Sequence, residues 1–100
     1  MSTSPNFGIS EVEYDPDRIL ITHIKQHGII NKNAADGDIV DRMTIIDNIE
    51  QNMTYKTMTW SGTTWDLHKD VKIVRINSTV YIRTDNNNIP KDDLGELPEF

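Results

Sequence analysis

Apolar residues recur at helical spacing in one stretch of the chain, residues 41–52. Ile45, Ile46 and Ile49 fall on one face of a helix with this periodicity. Asp41 can accept a hydrogen bond from a free amide of the first turn, so it is the predicted N-cap. The pattern predicts one helix of about three turns, packed on a sheet through its isoleucines.

Short runs rich in β-branched and aromatic residues occur on both sides of this helix and are typical of strands. Residues 18–27 form the first run and residues 54–60 form the second. A Ser61-Gly62 turn follows the second run, so residues 63–67 can pair back on it. These segments predict strands on either side of the helix in the chain.

The clearest predicted element is a hairpin over residues 71–84, VKIVRI-NS-TVYIRT, in which two β-rich runs flank a two-residue loop. This loop places Ile73 opposite Ile82 and Lys72 opposite Arg83. Side chains alternate between the faces of a strand, so one face of the hairpin is apolar and can meet the helix. The residues of that apolar face are Val71, Ile73, Val80 and Ile82.

The two ends of the chain are polar. Residues 1–16 combine Ser, Pro, Gly and acids with few large apolar residues, so we expect a mobile N-terminal arm. Residues 17–100 are expected to form a single α+β domain with its C-terminal tail packed on the sheet. The predicted fold is a small antiparallel sheet of about four or five strands, with one helix packed on one face.

Composition excludes several classes of protein. The chain has no cysteine, which excludes disulfides, thiolate nucleophiles and zinc ribbons. It has neither an apolar stretch of membrane-spanning length, about 18 residues, nor the features of a signal peptide. These features predict a cytoplasmic protein that contacts no membrane. A net charge of −6 argues against a duplex nucleic acid as partner, because phosphate contacts require clustered basic residues.

Charge is distributed unevenly along the chain. Residues 53–84 carry five basic and two acidic residues, a net charge of +3, while the segments on either side are acidic. A small basic patch within an acidic protein suits a compact anion better than a long polyanion.

The hairpin and tail resemble the ending of a small bacterial family, domain of unknown function 3892. VYIRT (80–84) and DDLGELP (92–98) are similar to its Tyr-(Leu/Ile)-Arg-Thr strand and its Asp-Asn-Leu-x-x-Leu-Pro tail. ITHIKQ (21–26) resembles its first strand and DRMTIIDNIEQN (41–52) its helix, in the same order. The resemblance covers residues 18–98 and implies a compact α+β fold of bacterial or phage origin. It implies no activity.

No catalytic, metal or cofactor site is recognisable in the sequence. It contains no GxSxG, no glycine-rich phosphate loop and no HExxH, so we expect a non-enzymatic protein without a cofactor. His23 and His27 fall four residues apart on a predicted strand, about 13 Å, which is too far to share an ion. Carboxylates and amides near the tail could offer calcium ligands, but Pro90 stands where an EF-hand loop needs glycine. The oxygen donors in question are Asp85, Asn87, Asp92 and Asp93.

The opposite face of the hairpin predicts a site for a small anionic, nucleotide-like ligand. Lys72 and Arg83 face each other there, and an anion between two like charges would remove their repulsion. Tyr81 and Thr84 add hydroxyl groups, and a tryptophan could stack on a base. The predicted ligand-binding residues are Lys72, Tyr81, Arg83, Thr84, Trp60 and Trp65.

Two alternatives stay open. In the first, Arg83 has a structural role: it pairs with Asp92 or Asp93 as the tail folds back, and Leu94 and Leu97 cover the sheet edge. In the second, the acidic arm and tail make the chain an interaction or inhibitor module for a basic partner protein. The open sheet edge also allows a homo-oligomer.

Overall fold

The computed structural model describes residues 5–30, 33–85 and 89–100. Within these residues the chain forms eight strands and one α-helix. In chain order the elements are β1 (Phe7–Tyr14), β2 (Ile21–Ile30), β3 (Asn33–Ala34), β4 (Asp38–Asp41), α1 (Arg42–Glu50), β5 (Tyr55–Trp60), β6 (Trp65–Asp70), β7 (Lys72–Ile76) and β8 (Thr79–Arg83).

Six of the strands form one mixed sheet. Its order is β3-β2-β1-β5-β6, and β4 also pairs with β2. The β1–β5 pair is parallel, while the other pairs of this sheet are antiparallel. The α+β class is confirmed, but the prediction of a purely antiparallel sheet of four or five strands is wrong. The parallel pair arises because the chain between β1 and β5 passes through α1 and returns in the same direction.

The prediction of a mobile arm over residues 1–16 is wrong for residues 7–14, which form β1 in the middle of the sheet. A bulge shifts the β1–β2 register between Ile9 and Glu11. As a result, Ile9 and Val12 are both buried although they are three residues apart. This spacing conceals the period of two that identifies a strand. Residues 1–4 of the predicted arm lie outside the described residues.

The helix begins as its sequence predicts. The Asp41 side chain accepts a hydrogen bond from the amide of Thr44 at 3.0 Å, so its role as N-cap is confirmed. A hydrogen bond from the Thr44 hydroxyl, together with the bond from the Thr44 amide, lowers the pKa of Asp41. Ile45 and Ile46 are buried on the inner face of α1, in the core cluster. The helix ends at Glu50, and Asn52, two residues beyond it, has a φ of 69°, the left-handed conformation typical of the position after a helix end.

The β7–β8 hairpin has the predicted register. Ile73 pairs with Ile82, and Lys72 pairs with Arg83. The turn residues Asn77 and Ser78 have φ values of 50° and 68°. Two successive left-handed residues are typical of the tight turn that matches the twist of a hairpin. The hairpin forms a separate two-stranded sheet.

One core cluster joins the large sheet, the helix, the hairpin and the tail. Its buried residues are Ile9, Val12, Ile21, Ile24, Ile45, Ile46, Tyr55, Val71, Ile82 and Leu94. Leu94 brings the tail into this core, and the bridge between Val12 and Glu99 places the end of the tail beside β1. In the part of the chain that the structure describes, no helix is long and apolar enough to cross a membrane.

Candidate functional site

The Arg83 side chain lies under the tail and is only 1% exposed. Its Nε and Nη2 atoms donate to the Asp85 carboxylate at 2.7 and 3.1 Å, and Nη1 donates to the carbonyl of Lys91 at 2.8 Å. Asp93 lies 3.8 Å from Nη2. The hydrogen bonds to Asp85 raise the pKa of Arg83, because the carboxylate stabilises the cation.

This arrangement favours the structural alternative for Arg83. The donor groups of the Arg83 guanidinium already bind Asp85 and the Lys91 carbonyl, so an anionic ligand would have to displace Asp85. The predicted pairing with Asp93 is present as an ion pair at 3.8 Å, but the bidentate partner is Asp85, and Asp92 pairs with Arg42 instead. Arg83 therefore joins β8 to the tail.

The buried Asp92 carboxylate connects the tail to three other elements. It accepts hydrogen bonds from the amides of Ile21 and Ile82, both at 2.8 Å. Arg42 donates to it from Nε at 2.7 Å and from Nη2 at 3.1 Å. Arg42 also donates to the carbonyl of Val80. We call Asp92, Arg42 and these two amides the Asp92 network; it joins β2, β8 and α1 to the tail.

The other predicted ligand-binding residues fall on two different sheets. Lys72 and Tyr81 lie on the hairpin, where Tyr81 is half-buried. Thr84 follows β8, and its amide donates to the carbonyl of Asp93 at 3.2 Å. Trp60 and Trp65 lie on β5 and β6 of the large sheet. Lys72 and Arg83 are thus paired on the hairpin, whereas Trp60 and Trp65 are paired on the large sheet.

Lys72 lines an open cleft of about 480 Å³ between the end of α1 and the start of β7. The walls are largely apolar, and Asn52, Thr54 and Asp70 add polar groups. The Asp70 carboxylate and the carbonyl end of α1 both disfavour an anion here. The cleft is therefore a poor match to the predicted anion site.

The candidate calcium ligands are held by basic side chains and backbone amides. Asp85 accepts from Arg83, and Asp92 accepts from Arg42. Asp93 accepts from the amide of Gly95 at 2.8 Å. Asn87 lies outside the described residues. Among the residues that are described, no group of three or more His, Asp or Glu side chains could hold a metal ion.

Most acids of the predicted interaction arm and tail have partners in the chain itself. Glu99 accepts two hydrogen bonds from Arg18, at 2.7 and 2.8 Å, which lower the pKa of Glu99. Glu13 accepts from Thr22 at 2.7 Å and Glu11 pairs with Lys25 at 3.4 Å. These contacts reduce the charge that the two acidic segments can offer to a basic partner.

A buried polar pair on the large sheet was not identified from the sequence. His27 Nδ1 lies 2.8 Å from the carbonyl of Ala35, and Nε2 lies 2.8 Å from the Ser10 hydroxyl. The carbonyl can only accept, so Nδ1 carries a proton, and in the neutral ring Nε2 accepts from Ser10. Both side chains are buried, and the Trp65 ring packs on His27 with centroids 5.1 Å apart. The pair bridges β1 and β2 and is closed to a substrate.

β6 is the exposed edge of the large sheet. Among the described residues it pairs with β5 alone, and five of its six residues are exposed. The pairing with β5 places Trp65 and Leu67 on one face of the strand and Asp66 on the other, and a register shift after Leu67 interrupts the alternation and brings Asp70 opposite Lys56. An edge strand offers unpaired amide and carbonyl groups to another chain.

Large apolar side chains lie beside this edge. The Trp60 and Trp65 rings meet edge to face at 5.3 Å, and Trp60 is 55% exposed. Leu67 follows on the same face as Trp65 and is 38% exposed. We call β6 with Trp60 the β6 edge. The Ser61-Gly62 turn predicted a strand over residues 63–67, whereas β6 runs over Trp65–Asp70. Its position at the edge depends on the long-range pairing of β1 with β5.

A model of the family described as Protein of unknown function (DUF3892) matches residues 8–98, which confirms the resemblance seen in the sequence. No curated protein and no solved structure matches the chain. The segments that resemble the family motifs supply Arg42, Arg83 and Asp92. In this structure those three residues hold the tail against the helix and the sheets.

Proposed function

The chain belongs to the DUF3892 family, described only as proteins of unknown function, and we propose that it is a non-enzymatic protein-interaction module. The observation that carries this proposal is the β6 edge, an exposed strand with pairing partners on one side only among the described residues. An extended segment of another protein can add to such a strand through main-chain hydrogen bonds.

The side chains around the edge support the proposal. Natural proteins usually protect an edge strand with charges, proline or a covering segment. β6 carries such charges at Asp66, Lys69 and Asp70 and has a register shift in its pairing with β5, but Trp60 and Leu67 still leave apolar surface in contact with water next to the strand. Aromatic residues at an exposed site are typical of interface centres, because a large ring loses little conformational entropy on binding. The edge therefore offers both backbone groups and a side-chain anchor.

The test is capture of partners from cells of the source organism with a tagged protein. Leu67→Arg adds a bulky charge on the β6 edge, and we expect it to lose the partners that the wild-type protein captures. Ile39→Arg is the matched control, because Ile39 is 55% exposed on β4, which pairs with β2 on the other side of the sheet. Recovery of the same partners with Leu67→Arg, at wild-type yield, would overturn the proposal.

Binding of a small anionic ligand is the second candidate function, and fewer residues support it than the sequence predicted. The Arg83 guanidinium is occupied by Asp85, so of the predicted ligand-binding residues it is Lys72 that carries this prediction, in the cleft that it lines. Native mass spectrometry of the purified protein tests it, together with thermal shifts on adding ATP. A shift that Lys72→Ala abolishes supports the ligand, and the absence of any shift removes it. Bacterial or phage origin and a cytoplasmic location stay predictions.

A further inference from the structure

We propose that the cavity between the tail and the β5–β6 pair binds a small zwitterion, a free amino acid with an apolar side chain. The cavity has a volume of about 410 Å³, and residues 94–97 of the tail form one of its walls. Sites for small molecules typically measure about 300–1,000 Å³. The cavity lies on the face of β5 and β6 opposite Leu67, so this inference goes beyond the proposed function.

The irregular pairing of β6 with β5 directs two successive side chains into this cavity. After Leu67 the register shifts, and β6 has one residue more than β5 before the next pair. In a regular strand His68 and Lys69 would point to opposite faces. Here both line the cavity, and the amide of Lys69 donates to the Thr57 hydroxyl at 3.2 Å. Bulges of this kind often lie beside functional sites, where they redirect a side chain.

His68 and Thr59 supply a hydrogen-bond donor. Nε2 of His68 lies 2.7 Å from the Thr59 hydroxyl. If the hydroxyl donates to Nε2, the neutral ring carries its proton on Nδ1; if Nε2 donates, the hydroxyl keeps its own proton for another acceptor. Either arrangement leaves one donor of the pair for a ligand. With the Lys69 ammonium group beside it, this donor suits a carboxylate.

Lys69 and Glu96 bring opposite charges to the strand wall and the tail wall of the cavity. In the part of the chain that the structure describes, neither side chain has an ion-pair partner, and the two do not pair with each other. A ligand with a carboxylate and an ammonium group can contact both charges, whereas a simple anion would be repelled by Glu96. The charges therefore favour a zwitterion.

The tail adds apolar surface to the cavity. Leu94 is buried in the core cluster, and Leu97 is partly buried and packs against the same cluster. Together with the methyl groups of Thr57 and Thr59, these side chains can cover an aliphatic group of a ligand. An amino acid such as leucine combines that group with the two charges.

Isothermal titration calorimetry with L-leucine and two of its analogues tests the ligand class. Isocaproate has the carboxylate and the aliphatic chain but lacks the ammonium group, and isoamylamine has the ammonium group but lacks the carboxylate. Each analogue loses one charged contact, so we expect it to bind at least about tenfold more weakly than leucine. In NMR spectra, leucine should shift the amide resonances of Thr59, Lys69 and Glu96.

Two variants test which residue contacts each charge. Lys69→Met should weaken leucine about tenfold and leave the binding of isoamylamine unchanged, because this analogue has no carboxylate. Glu96→Gln should weaken leucine to a similar extent and leave the binding of isocaproate unchanged. Lys91→Met is the matched control: this exposed lysine of the tail lies outside the cavity, so leucine should bind as to the wild-type protein. Circular dichroism establishes that each variant is folded.

Three results would overturn the inference. The first is the absence of heat and of amide shifts with millimolar leucine, valine, methionine and phenylalanine. The second is leucine binding that both Lys69→Met and Glu96→Gln retain at wild-type strength, since the ligand would then lie elsewhere. The third is isocaproate binding as tightly as leucine, which would make the site one for a simple anion.

Discussion

The Oδ2 atom of Asp92 lies 2.7 Å from Nε of Arg42 and connects the C-terminal tail to the first turn of α1. The same carboxylate accepts hydrogen bonds from the amides of Ile21 and Ile82. Its side chain is fully buried, so it has lost its hydration and depends on these three donated hydrogen bonds and on a fourth from Nη2 of Arg42. The position of the tail therefore depends on one carboxylate in the Asp92 network.

Asp92→Asn should destabilise the protein strongly. Asparagine keeps one acceptor oxygen, but it loses the charge and turns two N–H donors toward groups that also donate. The Arg42 guanidinium, which is 18% exposed, is then left without its counterion, and breaking such a largely buried pair typically costs about 3–5 kcal/mol. Urea unfolding followed by circular dichroism measures the change. Asp93→Asn is the control, since its partly exposed carboxylate should contribute no more than about 1 kcal/mol. Equal losses in the two variants would contradict a special role for Asp92.

Arg83→Lys tests whether the arginine is a structural residue. Lysine keeps the positive charge but lacks the planar fork that contacts Asp85 and the Lys91 carbonyl together. We expect a loss of about 3 kcal/mol in the free energy of unfolding. Arg75→Lys is matched to it, because Arg75 pairs with Glu50 on the surface, and it should change stability by less than about 0.5 kcal/mol. If the Arg83→Lys variant is as stable as the wild-type protein, the structural role is contradicted and Arg83 is again a candidate ligand-binding residue.

Gly8→Ala and Gly28→Ala should have opposite effects although the two glycines lie on neighbouring strands. A Cβ atom at Gly8 would lie 2.4 Å from Sδ of the buried Met58, so the core must rearrange, at a cost of about 1–3 kcal/mol. A Cβ atom at Gly28 meets nothing within 4 Å. There alanine restricts the unfolded chain and should stabilise by about 0.4–1 kcal/mol. Thermal melts compare the two variants, and equal melting temperatures would contradict the packing at Gly8.

Local signals in the sequence predicted those elements whose structure depends on nearby residues. The Asn77-Ser78 turn sets the β7–β8 register, and Asp41 sets the start of α1, each within a few positions. The strand β1 escaped prediction because the bulge between Ile9 and Glu11 breaks the alternation of its apolar residues. Ser10, Glu11 and Glu13 also lie between its apolar residues, which resembles a solvated arm.

The candidate site depended on contacts between residues far apart in the chain. Whether Arg83 faces water or the tail is decided by where Lys91 and Asp92 lie, and no periodicity encodes that position. Asp92 and Arg42 are fifty residues apart. Likewise, the Ser61-Gly62 turn predicts that the chain pairs back on β5, whereas the exposure of β6 as an edge follows from the parallel pairing of β1 with β5.

Glu99→Gln should lower the melting temperature at pH 7 and have little effect near pH 3. The bidentate pair with Arg18 lowers the folded-state pKa of Glu99 below its unfolded value of about 4.3. The stability contributed by the pair is therefore present above that unfolded value and is lost as the pH falls through the lower folded pKa. Both side chains are partly exposed, so added salt should reduce the effect at pH 7. Glu96→Gln, at an exposed position of the same tail, provides the control for removing one carboxylate. A Glu99→Gln deficit that is as large at pH 3 as at pH 7 would show that the ion pair is not its cause.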